Sequence, residues 1–187
     1  MVIIGITGTL GAGKGTLVDY LINEQGFVHY SAREFIVNEI THRGLEVNRD
    51  SMTSVANELR AMHSPAYVIE ELYRLAFSSG KNAVIESIRT PGEIEFLKKQ
   101  GNFILVAVDA DPQTRYNRIA LRASETDHVS YETFTSNENR EFSTTDPNKQ
   151  NLGKCIAMAD IVLNNNGTVE ELYTSFVEEM KKKGWSV

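Results

Sequence analysis

The amino terminus combines an apolar run at residues 2–6, a glycine-rich stretch at 8–16 and a helical pattern of apolar residues from Leu17 onward. Glycines at 8, 11, 13 and 15 can adopt positive φ and carry no Cβ, so backbone N–H groups can point inward around a polyphosphate. The helix dipole and the Lys14 ammonium add to this positive field. The position and spacing therefore predict a loop that binds nucleotide phosphates, and they disfavour a plain turn with a solvated lysine.

The residue after the lysine departs from the usual form of such a loop. A Ser or Thr that ligates magnesium normally follows the lysine directly, whereas here Gly15 comes first and Thr16 second. Thr16 is therefore expected either to hold the metal through a water molecule or to bind a phosphate by its backbone.

The composition limits the class of protein. With 187 residues and 41% hydrophobic content, the chain can bury one domain, which we place at 1–187. A net charge of −6 disfavours nucleic acid as a partner, because proteins that neutralise nucleic-acid phosphates are usually basic. The single cysteine, the lack of a leader and the lack of a membrane-spanning run predict a cytoplasmic protein without a membrane partner.

Two arginines between the first apolar strands are candidates for binding an anionic acceptor. Arg33 follows the predicted N-cap Ser31, where a cation opposes the helix dipole unless an anion is near. Arg60 lies beside the apolar face of a later helix. For Arg33, a solvated or ion-paired side chain is an equally open interpretation.

An apolar strand at 83–85 ends in Glu86, and Arg89 follows three residues later. A carboxylate at a strand end can orient magnesium-bound water, and the arginine can reach an acceptor phosphate. The alternative is a strand-end acid with a helix-capping arginine. Asp109 and Asp111 form a rival magnesium site, although the Pro112 that follows favours a capping role for Asp111.

A later helix carries three arginines at helical spacing, and a polar segment follows it. Arg115, Arg118 and Arg122 fall on one face and predict a cationic ridge, with a solvated helix face as the alternative. Residues 123–154 contain few apolar side chains, which predicts a weakly anchored lid. Within it, Arg140 is the better candidate to reach the transferring phosphate on closure.

These segments together resemble the P-loop nucleotide kinases of the adenylate kinase and dephospho-CoA kinase group, in a microbial branch similar to nucleoside monophosphate kinases. The resemblance implies a three-layer α/β/α fold with a five-stranded parallel sheet, an acceptor-binding insertion at about 32–79 and a mobile lid at about 123–154. It implies that Arg118 stacks on adenine, that Arg122 meets phosphate, and that residues 164–167 lie beside the base. It further implies that the ATP phosphates lie against Gly8, Gly11, Ala12, Gly13, Lys14, Gly15 and Thr16.

The activity implied is transfer of the ATP γ-phosphate, with Mg²⁺, to a nucleoside or deoxynucleoside monophosphate. In this assignment Thr16 and Glu86 serve the metal, the acceptor side is formed by Arg33, Arg60, Glu86 and Arg89, and catalysis rests on Lys14, Arg89, Arg122 and Arg140. Two alternatives stay open: transfer to a hydroxyl, with Glu86 or Asp109 as the base, and a nucleotide-binding regulator or slow ATPase. A monomer or a homodimer is expected.

Overall fold

The computed structural model describes residues 1–122 and 129–185. Its sheet has five parallel strands in the order β2-β3-β1-β4-β5, which confirms the expected three-layer architecture. The strands are β1 Ile3–Gly8, β2 Val28–Ser31, β3 Ala83–Glu86, β4 Phe103–Asp109 and β5 Ile161–Asn164. The helices are α1 Lys14–Asn23, α2 Ala32–His42, α3 Arg49–Met62, α4 Tyr67–Ser79, α5 Pro91–Gln100, α6 Pro112–Arg122, α7 Tyr131–Phe142, α8 Leu152–Ala157 and α9 Val169–Lys182.

The central strand β1 sets the register of the sheet. Ile3 of β1 lies opposite Ala83 of β3 on one side and Phe103 of β4 on the other. All six residues of β1 are buried, as expected for a parallel strand that is covered on both faces. Because parallel strands share direction, β1, β3 and β4 all end at the same edge of the sheet, where ligands of open α/β folds bind.

Two apolar cores fill the space above and below the sheet. One core packs α2–α5 and α8 against the strands, and its members include Ile36, Leu59, Ile69, Ile94 and Cys155. The other packs α1 and α9 through residues that include Leu17, Leu21, Leu172, Phe176 and Met180. Cys155 is fully buried, as expected for a packing residue, and burial raises the pKa of its thiol to about 12.

Two helices that follow α6 are anchored more firmly than their polar composition indicates. Residues 123–128 of the expected lid lie outside the described residues, whereas 131–142 and 152–157 form α7 and α8. Phe134, Leu152 and Cys155 are buried, so the expectation of weak anchoring is corrected for these two helices. A few large apolar residues at well-placed positions anchor helices whose remaining residues are polar.

No helix among residues 1–122 and 129–185 has the length and apolar content that crossing a membrane requires.

Candidate functional site

The glycine-rich loop lies between β1 and α1, at the edge of the sheet where β1 ends. Gly8, Gly11 and Gly13 have positive φ, as the sequence predicts, whereas Gly15 has an ordinary backbone conformation inside α1. Two features require glycine at position 13. Its φ is 96°, and an added Cβ would collide with the side-chain amide of Asn165. Ala12 differs from its neighbours, since its side chain is buried in the core beneath the loop.

Lys14 occupies the centre of this loop. Its ammonium is buried and donates hydrogen bonds to the carbonyl oxygens of Gly8 and Thr9, at 3.1 and 2.8 Å. Burial and the nearby charges of Arg89 and Arg122 lower the pKa of Lys14 to about 7, although Glu86 acts in the opposite direction. The positive charges of the site therefore repel one another in the free protein. A bound anion would reduce this repulsion.

Two side chains from the neighbouring strands brace the loop. Thr9 Oγ1 donates to Asp109 Oδ1 at 2.5 Å, and Asn165 Nδ2 donates to the carbonyl oxygen of Ala12 at 2.8 Å. These contacts tie the ends of β4 and β5 to the loop backbone. The structure thus gives Asp109 and Asn165 a supporting role, and the expectation that residues 164–167 contact the base stays a prediction.

Glu86 ends β3 and faces the cavity with about 20% of its side chain exposed. His29 Nε2 lies 3.3 Å from Glu86 Oε2. Burial alone would raise the pKa of this carboxyl, but the contact with His29 and the charges of Lys14 and Arg89 hold it below its ordinary value. Glu86 is therefore an ionised carboxylate at neutral pH, able to orient a cation or accept a proton.

A cavity of about 730 Å³ joins the loop to the acceptor side. The predicted residues that line it are Gly11, Gly13, Lys14, Gly15, Thr16, Arg33, Arg60, Glu86, Arg89, Arg118 and Arg122. Residues that the sequence analysis missed also line it, among them Arg49, Met52, Thr53, Glu141 and Gln150. A cavity of this volume fits the size of ligand pockets in general.

The region that the sequence predicts to bind an acceptor lies where α2, α3 and the chain after β3 meet. Arg33 lies at the start of α2 and Arg49 at the start of α3, so both contribute guanidinium groups to the cavity wall. Arg49 could have been found by the signal that identified Arg33, because both are cations in the first turn of a helix. Ser87 has a φ of 69°, a conformation that non-glycine residues rarely adopt and one that is common at functional sites.

The sequence predicts Arg60 as a substrate ligand, but the structure places it in a buried ion pair with Glu93. It is only 2% exposed, and its Nε and Nη2 donate to Glu93 Oε1 at 3.1 and 2.9 Å. Its Nη1 is buried without a hydrogen-bond partner among the described residues. Arg60 is thus held in a structural ion pair, although it also lines the cavity.

The prediction that three arginines form a cationic ridge on α6 is wrong for Arg115. Arg115 is buried, forms an ion pair with Glu138 of α7, and donates through Nε to the carbonyl oxygen of Ala110 at 2.7 Å. Its guanidinium also lies over the ring of Phe134. Arg115 therefore joins α6 to α7, while Arg118 and Arg122 line the cavity.

Arg140 does not line the cavity in this structure, so the expectation that it reaches the transferring phosphate on closure stays a prediction. Its side chain is 47% exposed and pairs with Asp50 across the surface at 3.1 Å. The next residue, Glu141, faces inward instead, because successive residues of a helix point about 100° apart. The helix thus presents a carboxylate, not the expected arginine, to the site.

The residues present fit a magnesium ion that is shared with a nucleotide. Thr16 offers a hydroxyl and Glu86 a carboxylate to the same cavity, and oxygen ligands are those that Mg²⁺ prefers. Within 1–122 and 129–185 no group of three or more His, Cys, Asp or Glu side chains could hold a metal unaided. Magnesium at phosphate-transfer sites is commonly held by one or two protein ligands together with substrate phosphates and water.

Comparisons with known proteins agree with this geometry. The gluconokinase of Sinorhizobium meliloti superposes with a TM-score of 0.60 at 11% identity, covering 97% of this chain and 93% of that one. The shikimate kinase of Bacteroides thetaiotaomicron gives 0.59 at 13% identity and 98% coverage of both chains. At these identities the likeness establishes the fold alone, which this chain shares with both kinases.

Two sequence relationships give the family. The profile of the AAA domain family (AAA_18) matches residues 4–144, which include the glycine-rich loop and the acceptor side. A UPF0200 protein of Methanococcus vannielii is 31% identical over 183 residues, covering 96% of this chain and 93% of the relative. The chain therefore belongs to the AAA domain family and to the UPF0200 proteins.

Proposed function

We propose that this protein is an ATP-dependent kinase that transfers the γ-phosphate, with Mg²⁺, to a nucleoside or deoxynucleoside monophosphate. One observation carries the proposal: a single cavity is lined both by the phosphate loop and by Arg33, Arg49 and Arg89. A donor phosphate chain and a second anionic group can occupy such a cavity together. A nucleotide-binding regulator would not need these additional cations.

The loop and α6 would bind the nucleotide that donates the phosphate. Backbone N–H groups of the loop and the Lys14 ammonium would hold the β- and γ-phosphates, and Thr16 follows them in α1. Arg118 and Arg122 line the same cavity. Arg118 Nη1 is buried without a hydrogen-bond partner among the described residues, so it has a donor available for the nucleotide.

The acceptor end combines cations with an apolar wall. Ala32, Ile36, Met52 and Ala56 line the cavity between α2 and α3, which suits the face of a planar base. Arg33, Arg49 and Arg89 would hold the acceptor phosphate. Because this phosphate is already anionic at neutral pH, positioning and charge stabilisation can supply catalysis without a general base. Magnesium would neutralise charge on the donor phosphates, with Glu86 and Thr16 as its protein-side ligands.

Glu86 supports a second candidate function. Its ionised carboxylate at the cavity wall could accept the proton of a hydroxyl acceptor, as a kinase acting on an alcohol requires. Two solved structures with this fold are named for gluconate and shikimate, compounds that carry hydroxyl groups. Glu86→Gln distinguishes the two functions, since loss of a general base lowers kcat by roughly 10²–10⁴-fold, whereas loss of a metal-orienting group is offset at high Mg²⁺.

The test is a panel of nucleoside and deoxynucleoside monophosphates, together with gluconate, shikimate and dephospho-CoA, each incubated with ATP and Mg²⁺ while ADP release is measured. Lys14→Ala provides the blank. Arg89→Ala and Arg49→Ala should each raise the acceptor KM by about tenfold or more, because each removes a charged partner of the phosphate. Arg74→Ala, at an exposed arginine on α4, is the matched control. Activity confined to the hydroxyl compounds would overturn the proposed acceptor class.

A further inference from the structure

Glu141 lies where an acceptor phosphate would bind in the proposed function. It is 5% exposed and lines the cavity. Its Oε1 accepts from Arg49 Nη2 at 2.6 Å, and its Oε2 lies 3.4 Å from Arg89 Nη1. The carboxylate of α7 therefore bridges two arginines that come from two other parts of the fold, the start of α3 and the chain after β3.

This arrangement imitates the binding of a phosphate. A carboxylate and a phosphate both present oxygens that pair with guanidinium groups, but the phosphate carries up to a second negative charge and a third oxygen. Arg49 Nε is buried without a hydrogen-bond partner among the described residues. The arginine pair thus has a donor that Glu141 does not use and that a larger anion can.

We propose that Glu141 is an internal competitor for the acceptor phosphate, which occupies Arg49 and Arg89 until a phosphate dianion displaces it. This inference rests on the proposed function for the position of the acceptor. Competition weakens every external anion by the same factor, so it leaves the ratio of their affinities unchanged and raises the concentration that each anion needs. At one given concentration, a weakly bound carboxylate ligand then stays unbound while a dianionic phosphate still binds.

The rest of α7 can stay in place while Glu141 exchanges. Glu138 lies one turn earlier on the same face, paired with the buried Arg115, and Phe134 packs beneath that arginine. These contacts involve neither Arg49 nor Arg89, and Arg115 Nη1 also donates to the carbonyl oxygen of Leu10 in the phosphate loop. Displacement of Glu141 therefore needs a change in its own side chain and does not require α7 to unfold.

The test measures the affinity of inorganic phosphate by its effect on the melting temperature, with saturating ADP and Mg²⁺ so that the donor phosphates already fill the loop. Glu141→Gln removes the competing charge and should bind phosphate about tenfold more tightly than the wild type. Glu141→Asp keeps the charge but shortens the side chain, so it cannot span both arginines and should also bind more tightly. Glu132→Gln, at an exposed carboxylate of the same helix, should leave the affinity unchanged.

The direction of the change in phosphate affinity separates competition from positioning. If Glu141 merely positions Arg49 and Arg89, both substitutions at 141 weaken phosphate binding, and an unchanged affinity likewise contradicts the inference. Glu141→Asp supplies the answer if Glu141→Gln does not fold. Monophosphates that are phosphorylated with no gain in phosphate affinity would overturn this inference alone. A gain in affinity without any monophosphate turnover would overturn the proposed function alone.

Discussion

At the scale of single residues, Lys14 has the most unusual chemistry. Burial and the charges of Arg89 and Arg122 lower its pKa to about 7, so the free protein holds it partly neutral at physiological pH. Bound phosphates favour the ammonium form and raise this pKa again. We therefore predict that nucleotide binding takes up a proton at pH 8, and that affinity falls as pH rises from about 7. Calorimetric titration in buffers of different ionisation enthalpy measures this uptake, which Lys14→Met should abolish.

The same shift has a consequence for stability. Between about pH 7 and the ordinary value of 10.5, the unfolded chain holds a proton on Lys14 that the folded chain does not. The group therefore opposes folding at low pH, and this penalty decreases as pH rises through that window. We predict that Lys14→Met raises the melting temperature of the free protein at pH 7 by several degrees. A lower melting temperature would show that the hydrogen bonds to Gly8 and Thr9 outweigh the cost of burying the charge.

The sequence identifies the cavity residues on the loop and at strand ends, but it does not show which arginines are free to act. Arg33 and Arg49 carry a local signal, a cation in the first turn of a helix, but this signal does not reveal that Arg49 pairs with Glu141, 92 residues away. Arg60 and Arg115 carry no such signal, and their partners Glu93 and Glu138 lie 33 and 23 residues away. Helical spacing places Arg115 on the same face as Arg118, yet burial against α7 changes its role.

At the scale of elements, the loop after β5 supports the phosphate loop through Asn165. We predict that Gly13→Ala greatly reduces the increase in melting temperature caused by ATP, because the added Cβ is strained at a φ of 96° and collides with the Asn165 amide. Gly80→Ala is the matched control, since its φ of 66° gives a similar backbone strain, no atom lies within 4 Å of its added Cβ, and it does not line the cavity. Comparable ATP responses in the two variants would contradict this support role.

The elements that the sequence predicts well are those with a regular apolar pattern. All five strands are continuous apolar runs or end in a marked polar residue, and α4 and α9 show clear helical stripes. In contrast, α7 has few apolar residues, and its anchoring depends on Phe134 and on the carboxylates Glu138 and Glu141. A carboxylate that pairs across the fold has the same sequence signature as one that is solvated, so composition alone predicts a loose lid for this segment.

At the scale of the whole molecule, the local charge of the cavity differs from the net charge of the chain. The chain carries a net charge of −6, but its cavity collects lysine and arginine side chains from the loop, α2, α3, α6 and the chain after β3. An acidic total disfavours nucleic acid and still permits a local site for small anions. The partners within this site are far apart in sequence, since Arg49 and Glu141 are separated by 92 residues. No local pattern predicts such pairing, which only the assembled fold establishes.

The buried pair of Arg60 and Glu93 connects the acceptor helices to the rest of the molecule. Arg60 lies on α3, while Glu93 Oε2 accepts from the backbone N–H groups of Arg89 and Thr90, at 2.7 and 3.0 Å, where the chain leaves β3. Arg60→Met leaves a buried carboxylate without its counter-charge. We predict that it lowers the free energy of unfolding by about 3–5 kcal/mol, which corresponds to a fall in melting temperature of roughly 10 °C.

The double variant Arg60→Met/Glu93→Gln separates the charge from the hydrogen bonds. The neutral amide introduced at position 93 still accepts from the backbone N–H groups, so the double variant should recover a substantial part of the stability that Arg60→Met loses. Arg74→Met, at an exposed pair on α4, should change the melting temperature little. If the double variant melts at or below the temperature of Arg60→Met, the loss comes from packing of the Arg60 side chain and not from an unpaired charge. Thermal unfolding followed by circular dichroism measures all three variants against the wild type.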